Sequence, residues 1–312
     1  GTAAVLVRIL IVLVVIAAVG AGVGLFITRP QTLPASEFAA GYTPNVANGG
    51  VIFNAGNCSA CHMTPGQDDR TQLAGGLKMV SPFGTFFTPN ISSDKTVGIG
   101  AWTETQFVNA MKRGTGRKGE HLYPAFPYSS YSLLKTTDVR DLWAYMQTVP
   151  ASTTPSKPHE LKFPFNIRLA VGGWKFLYFK PHEFVADASK SPAWNRGMYL
   201  AEGPAHCAEC HSPRNALGGV EAGKEYAGAP NLEKGGRFAN NITPSKDGIG
   251  DWSDTDITDF LKSGTDKCFN EPEGMKDVIA STGKYSDEDA AAMGAYIHAL
   301  PPKDGNGKEK TC

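Results

Sequence analysis

The chain has 312 residues, 30 basic and 30 acidic side chains and therefore no formal net charge, a sequence pI near 7.2, and six cysteines. Length alone suggests about two domains, and the balanced charge excludes the basic stripe of a nucleic-acid binder. Six cysteines are too few for a disulfide scaffold of this size, and only 19% charged residues beside 35 glycines and 21 prolines describe a globular, loop-rich chain.

In chain order, the first feature is an uncharged run of 19 residues, 9–27, between Arg8 and Arg29-Pro30. It is close to the ~20 apolar residues needed to cross a bilayer. The apolar core of a cleaved signal peptide is shorter, about 7–15 residues, and is followed by a small-residue cleavage site. The pattern predicts an uncleaved transmembrane anchor at 1–29, a linker at 30–45 and a body facing water.

That body contains an internal repeat. Its first copy reads Cys58-Ser59-Ala60-Cys61-His62, Asn90-Ile91-Ser92, Gly98-Ile99-Gly100-Ala101-Trp102 and Lys112-Arg113-Gly114-Thr115. Its second reads Cys207-Ala208-Glu209-Cys210-His211, Asn241-Ile242-Thr243, Gly248-Ile249-Gly250-Asp251-Trp252 and Lys262-Ser263-Gly264-Thr265. Cys61 to Trp102 is 41 positions, Cys210 to Trp252 is 42, and each tryptophan stands 12 before its Gly-Thr pair. The predicted domains are 46–154 and 193–302, with a linker at 155–192 and a tail at 303–312.

Each copy is predicted mostly helical. Short helices precede the cysteine motifs at 46–54 and 195–202, and others follow the tryptophans at 104–113 and 255–262. Closing helices at 138–148 and 286–299 carry apolar stripes at helical spacing, and Ser286 with Asp289 resembles a capping box. In the linker, the apolar segment 165–179 predicts a helix packed between the two domains, with a partner or the membrane surface as alternatives. His159 and His182, also in the linker, are expected to be solvated.

Cys-x-x-Cys-His is the attachment motif of c-type haem. The two thiols form thioethers to the porphyrin vinyl groups, and the adjacent histidine then stands under the iron. Two Cys-x-x-Cys pairs also suit a four-cysteine zinc site, a thioredoxin-like pair or plain disulfides. Zinc does not require a histidine after both pairs, and a thioredoxin-like motif needs a strand–helix context that neither copy has. Two covalent haems follow, on Cys58 and Cys61 and on Cys207 and Cys210, with His62 and His211 as proximal ligands.

Methionine is the usual partner of histidine in cytochromes c. Met275 stands 23 residues after Trp252 and 12 before Asp287, where a class I cytochrome c carries its methionine. The matching residue of the first copy is Phe126, 12 before Asp138, which cannot ligate iron. Met111 stands nine residues after Trp102, and Leu261 nine after Trp252. Met111 is thus the first candidate for the distal ligand of the first haem and His121 the second, with Met79, Met63, Met146 and an open site left as alternatives. Trp102 and Trp252 are expected to wall the haems or donate an indole N–H to a propionate.

At Thr88-Pro89-Asn90-Ile91, Gly98-Ile99-Gly100-Ala101-Trp102, 122–128, Phe163-Pro164-Phe165-Asn166-Ile167-Arg168, 203–215 and 241–252, the chain resembles the membrane-anchored cytochrome c subunits of bacterial periplasmic dehydrogenases, of the alcohol and nicotinate dehydrogenase type. The resemblance spans roughly 45–302. Members commonly carry three haem domains, so the two motifs here, and an anchor at the N-terminal side, are departures. The resemblance implies a mainly α chain: an N-terminal transmembrane helix followed by two tandem class I cytochrome c domains. It further implies an inner-membrane protein with its haems facing the periplasm. Such a protein passes electrons from a dehydrogenase catalytic subunit to a quinone, a soluble cytochrome or a terminal oxidase, with a small redox subunit as a further partner, and is not itself an enzyme.

Phe126 keeps a second reading open, a dihaem peroxidase-like enzyme with an open first haem. Cys268 and Cys312, on the oxidising side of the membrane, are expected to pair as a disulfide, the alternative being a buried thiol and a disordered terminal one.

Overall fold

The structure is a computed structural model and describes residues 1–38, 41–229, 239–265 and 274–305. Helix α1, Thr2–Ile27, has a mean hydropathy of 2.9 in its most apolar window and no buried residue, so it is long and apolar enough to cross a membrane. It begins ahead of Arg8, because one arginine, itself a good helix former, does not break a helix.

The rest of the chain is mainly helical. After a single turn at Ala35–Glu37 come α2 (Val46–Ala55), α3 (Cys58–His62), β1 (Lys78–Ser81), β2 (Gly84–Phe87), α4 (Glu104–Arg113), α5 (Tyr128–Tyr131) and α6 (Thr136–Met146). The linker adds β3 (Glu160–Leu161) and α7 (Ala170–Tyr178). The second half holds α8 (Pro192–Glu202), α9 (Cys207–His211), α10 (Asp254–Ser263), α11 (Lys276–Thr282) and α12 (Asp287–His298). The strands form one antiparallel sheet in the order β1-β2-β3, with Lys78 opposite Phe87 and Thr85 opposite Glu160. The sequence reading contained no strands: segments of two to four residues are too short to show a period of two.

Local chemistry sets the helix ends. Thr103 with Gln106 and Ser253 with Asp256 form full capping boxes, and both helices stop at a left-handed glycine, Gly114 or Gly264. Ser191 caps α8 with Pro192 in its first turn, which starts that helix three residues before the sequence pattern suggested. Ser286 does accept from the Asp289 N–H, but only half of the expected box forms. The Asp289 carboxylate is instead held by Arg196, at 2.7 and 2.8 Å.

Each half is built on one helix crossing, α2 on α6 and α8 on α12. Both crossings require a glycine. A Cβ on Gly49 would fall 2.1 Å from the Asp141 carbonyl oxygen, and one on Gly197 would fall 2.0 Å from that of Ala292. Around the first crossing Ile52, Phe53, Val108, Leu134 and Val139 make one apolar cluster. Around the second, Leu200, Ile257, Ala290, Met293 and Ile297 make another. The halves exchange residues, since Tyr199 belongs to the first cluster and Ala55 to the second.

Helix α7 does pack between the halves. Lys175, 9% exposed, donates from Nζ to the carbonyls of Arg113 and Gly114, each at 2.7 Å, and so caps the last turn of α4. Burial pulls its ammonium down to about 8. Toward the second half, Trp174 Nε1 donates to the Leu217 carbonyl at 3.1 Å. His182 is exposed, as expected, but His159 is not: it is half-buried, its Nδ1 accepts from the Phe87 N–H, and its ring packs on Phe86 and Tyr123. The β2–β3 pairing draws it in.

Candidate functional site

The two Cys-x-x-Cys-His motifs form α3 and α9, one-turn helices that end on their histidines. In both, the histidine is oriented by a backbone carbonyl. His62 Nδ1 lies 2.8 Å from the Pro89 oxygen, and His211 Nδ1 lies 2.7 Å from the Asn240 oxygen. A carbonyl only accepts, so each Nδ1 carries the proton and each Nε2 keeps a free lone pair. Burial lowers both imidazole pKa values and keeps the rings neutral, as an iron ligand must be.

The four thiols of the motifs are unpaired. Burial pushes Cys58 and Cys207 up to about 12. Burial, then Cys210 and Asp277 nearby, push Cys61 up to about 11. A thioredoxin-like pair has the opposite tendency, a lowered thiol pKa. Among the described residues no three His, Cys, Asp or Glu side chains converge into a metal site. Free paired thiols beside a neutral histidine with an open Nε2 fit covalent haem.

The repeated sequences around each motif hold that histidine in place. Asn90 Nδ2 donates to the carbonyls of Ser152 and Thr154, and its Oδ1 accepts from the Ser92 N–H. Asn241 does the same with the Lys303 carbonyl and the Thr243 N–H. Each asparagine therefore ties the segment that anchors the histidine to the chain leaving the closing helix. The Gly-Ile-Gly stretch lies on this brace. A Cβ at Gly100 would fall 1.8 Å from the Ser93 oxygen, and one at Gly248 would fall 2.2 Å from that of Thr243. Ile99 and Ile249 between these glycines enter the two cores.

The motifs also face each other. The residue before the first cysteine of each pair is left-handed without being glycine: Asn57 at φ 49° and His206 at φ 41°. Such a conformation costs about 1 kcal/mol or more. Each of the two also touches the other half. Asn57 Oδ1 accepts from Ser281 Oγ at 2.6 Å, and the His206 ring packs edge-on to Tyr131 at 5.6 Å. Arg70 Nη2 donates to Ser281 Oγ at 3.1 Å, and Tyr285 donates to the Ala55 carbonyl at 3.1 Å. Sequence reasoning assigned no role to Asn57, His206, Tyr131, Gly49 or Gly197. For Gly49 and Gly197 the available signal was their matching place, nine and ten residues ahead of Cys58 and Cys207.

The distal candidates are placed differently. Met111 is buried in the first apolar cluster, against which Cys58 and Phe126 pack, while Leu261 occupies the second cluster. Phe126 stacks edge-on to Tyr131 at 5.4 Å. Met275 is half-buried at the start of α11. His121 is buried next to Gly172 and Thr28, with its carbonyl accepting from Arg168 Nη1 at 2.8 Å. Trp102 packs against the first cluster, and Trp252, buried in the second, meets Phe260 at 5.7 Å. Cys268 and Cys312 lie outside the described residues.

The Cytochrome c family model matches residues 46–150. A "Diheme cytochrome c-type" protein of Cereibacter sphaeroides is 42% identical over 89% of this chain and 93% of its own length. The "Fructose dehydrogenase cytochrome subunit" of Gluconobacter japonicus is 38% identical over 86% of this chain and 55% of its own length. An "Alcohol dehydrogenase (quinone), cytochrome c subunit" of Gluconacetobacter polyoxogenes is 37% identical over 82% and 56%. The chain thus spans about half the length of these two dehydrogenase subunits, but nearly all of the dihaem relative. With a haem-attachment motif in each half, the same orientation of both histidines and a match along almost the whole of that relative, the chain belongs to the dihaem c-type cytochromes.

Proposed function

We propose that this chain is the membrane-anchored electron-transfer subunit of a dehydrogenase complex, with one haem in each of the domains 46–154 and 193–302. The observation that carries the reading is the pair of facing motifs, each with a neutral histidine whose Nε2 is free. When bound, haem supplies reversible one-electron chemistry. Cys58 and Cys61, and Cys207 and Cys210, hold the groups covalently, and His62 and His211 supply the proximal nitrogen. Met275 would supply a sulfur ligand to the second haem. Met111 is assigned that role in the first, supported by its burial in the cluster against which Cys58 packs. His121 is set aside because its neighbours are Gly172 and Thr28.

Trp102 and Trp252 then wall the haems. The contacts among Asn57, Ser281, Tyr131 and His206 fix the two motifs against one another, a requirement for transfer between haems. Helix α1 anchors the chain in the inner membrane with both domains in the periplasm. The donor is a dehydrogenase catalytic subunit, as in the complexes that name several relatives, and the acceptor is a quinone, a soluble cytochrome or an oxidase.

The test is purification of the full chain from its native membrane. The expected result is two haem c per chain and a co-purifying dehydrogenase whose substrate reduces both. A chain that carries haem but consumes peroxide, with no dehydrogenase attached, would replace this reading by the peroxidase one, which Phe126 favours.

A further inference from the structure

Helix α7 turns apolar side chains outward as well as inward. Its inward face carries Val171, Gly172 and the capping Lys175, all buried. Its outward face carries Leu169, Phe176 and Leu177, which are 56, 65 and 55% exposed, with the exposed Ala170 and Gly173 between them. These five positions form one stripe of one helix, where a solvated helix would place polar side chains. The segment leading into α7 continues the surface with Phe163, 79% exposed, and with Ile167.

Two further observations identify what covers this face. The first is position. A Cβ on Gly172 would fall 2.4 Å from the carbonyl oxygen of Thr28, the residue that follows α1, so α7 abuts the end of the apolar helix. The second is charge. From 161 to 182 the chain has no Asp or Glu but carries Lys162, Arg168, Lys175 and Lys180, of which Lys162 and Lys180 are exposed. An apolar stripe edged by lysines, level with the end of a membrane span, matches the boundary between acyl chains and anionic headgroups.

We propose that α7 and the segment before it lie in the membrane interface, a second lipid contact that holds the first half of the body against the bilayer. Lys162 and Lys180 reach the headgroups while Leu169, Phe176 and Leu177 enter the acyl boundary. The proposal rests on the reading that α1 crosses the membrane.

The test places the photo-crosslinker p-benzoylphenylalanine at Val12, Phe176 or Lys224 of the full haem-loaded chain and irradiates native membranes. Position 176 replaces one exposed aromatic ring by another, and the haem spectrum checks folding. The expected result is a phospholipid adduct at positions 12 and 176 and none above background at 224, as for an interfacial helix. An adduct at 12 but none at 176 overturns the proposal and leaves the anchor standing. A polypeptide adduct at 176 overturns it in favour of a protein partner. No lipid adduct at 12 overturns the anchor and the proposal together.

Discussion

The two halves repeat one design, and they differ where the iron's sixth ligand is expected. Both orient a histidine on a carbonyl, brace that carbonyl with an asparagine, cross their helices at a glycine and end the helix after the tryptophan on a left-handed glycine. Lys112 and Lys262 extend the parallel, donating to the carbonyls of Leu134 and Tyr285 just ahead of the closing helices. In the first half, however, a methionine sits on α4 and a phenylalanine in the following loop; in the second, a leucine sits on α10 and a methionine at the start of α11. What holds each histidine is kept, while the residues proposed for the distal side vary. A sulfur needs only to reach the iron from some apolar wall, whereas the histidine is fixed by its own place beside the cysteines.

The largest expected effect comes from the thioether pairs. Cys61→Ala should remove the first haem and unfold much of its half, reducing haem per chain from two to one by a pyridine haemochrome assay. Cys210→Ala should do the same to the second half. Loss of both haems from either variant would break the idea of two separable copies.

Next come the crossings. Gly49→Val and Gly197→Val should each destabilise their own half by about 1–3 kcal/mol or more, since a Cβ cannot fit against a backbone oxygen without parting the helices. Thermal melts followed at the haem absorption should show one half melting early in each variant. Asn90→Ala and Asn241→Ala should cost about 1–3 kcal/mol each by leaving buried groups unpaired. They should also loosen the carbonyl that holds His62 or His211, so the low-spin spectrum of that haem should broaden before the protein melts. Equal melting of variant and parent would show that the brace is dispensable.

The smallest effect on stability, and the sharpest on the comparison, belongs to the distal side. Met111→Leu conserves volume and should cost less than about 1.5 kcal/mol, yet convert the first haem to high spin. Adding Phe126→Met to that variant rebuilds the second half's arrangement in the first and should restore low spin. An unchanged spectrum in Met111→Leu would reject the assignment.

Much of this was legible in the sequence because the repeat is nearly free of spacing drift. Helices α2, α4 and α10 fall within a residue or so of their predicted ends, since their caps and apolar periods are local. The short sheet was not legible, because two to four residues hold no period. The burial of His159 is hidden for a related reason: it depends on a strand pairing that brings residues 85 and 160 together. The facing of the motifs was equally hidden. Asn57 and His206 are ordinary polar residues in the sequence, and only the fold sets them against Ser281 and Tyr131. The role of Gly49 and Gly197 needed the partner helix's backbone to become visible.

The most direct test of the account is a carbon monoxide titration of the fully reduced, full-length chain, followed at the haem absorption. Two haems, each with a sulfur on its distal side, predict no carbon monoxide complex at either. Rapid binding of one equivalent per chain would contradict the account, leaving the first haem open opposite His62 and making Phe126, rather than Met111, the residue that defines that site.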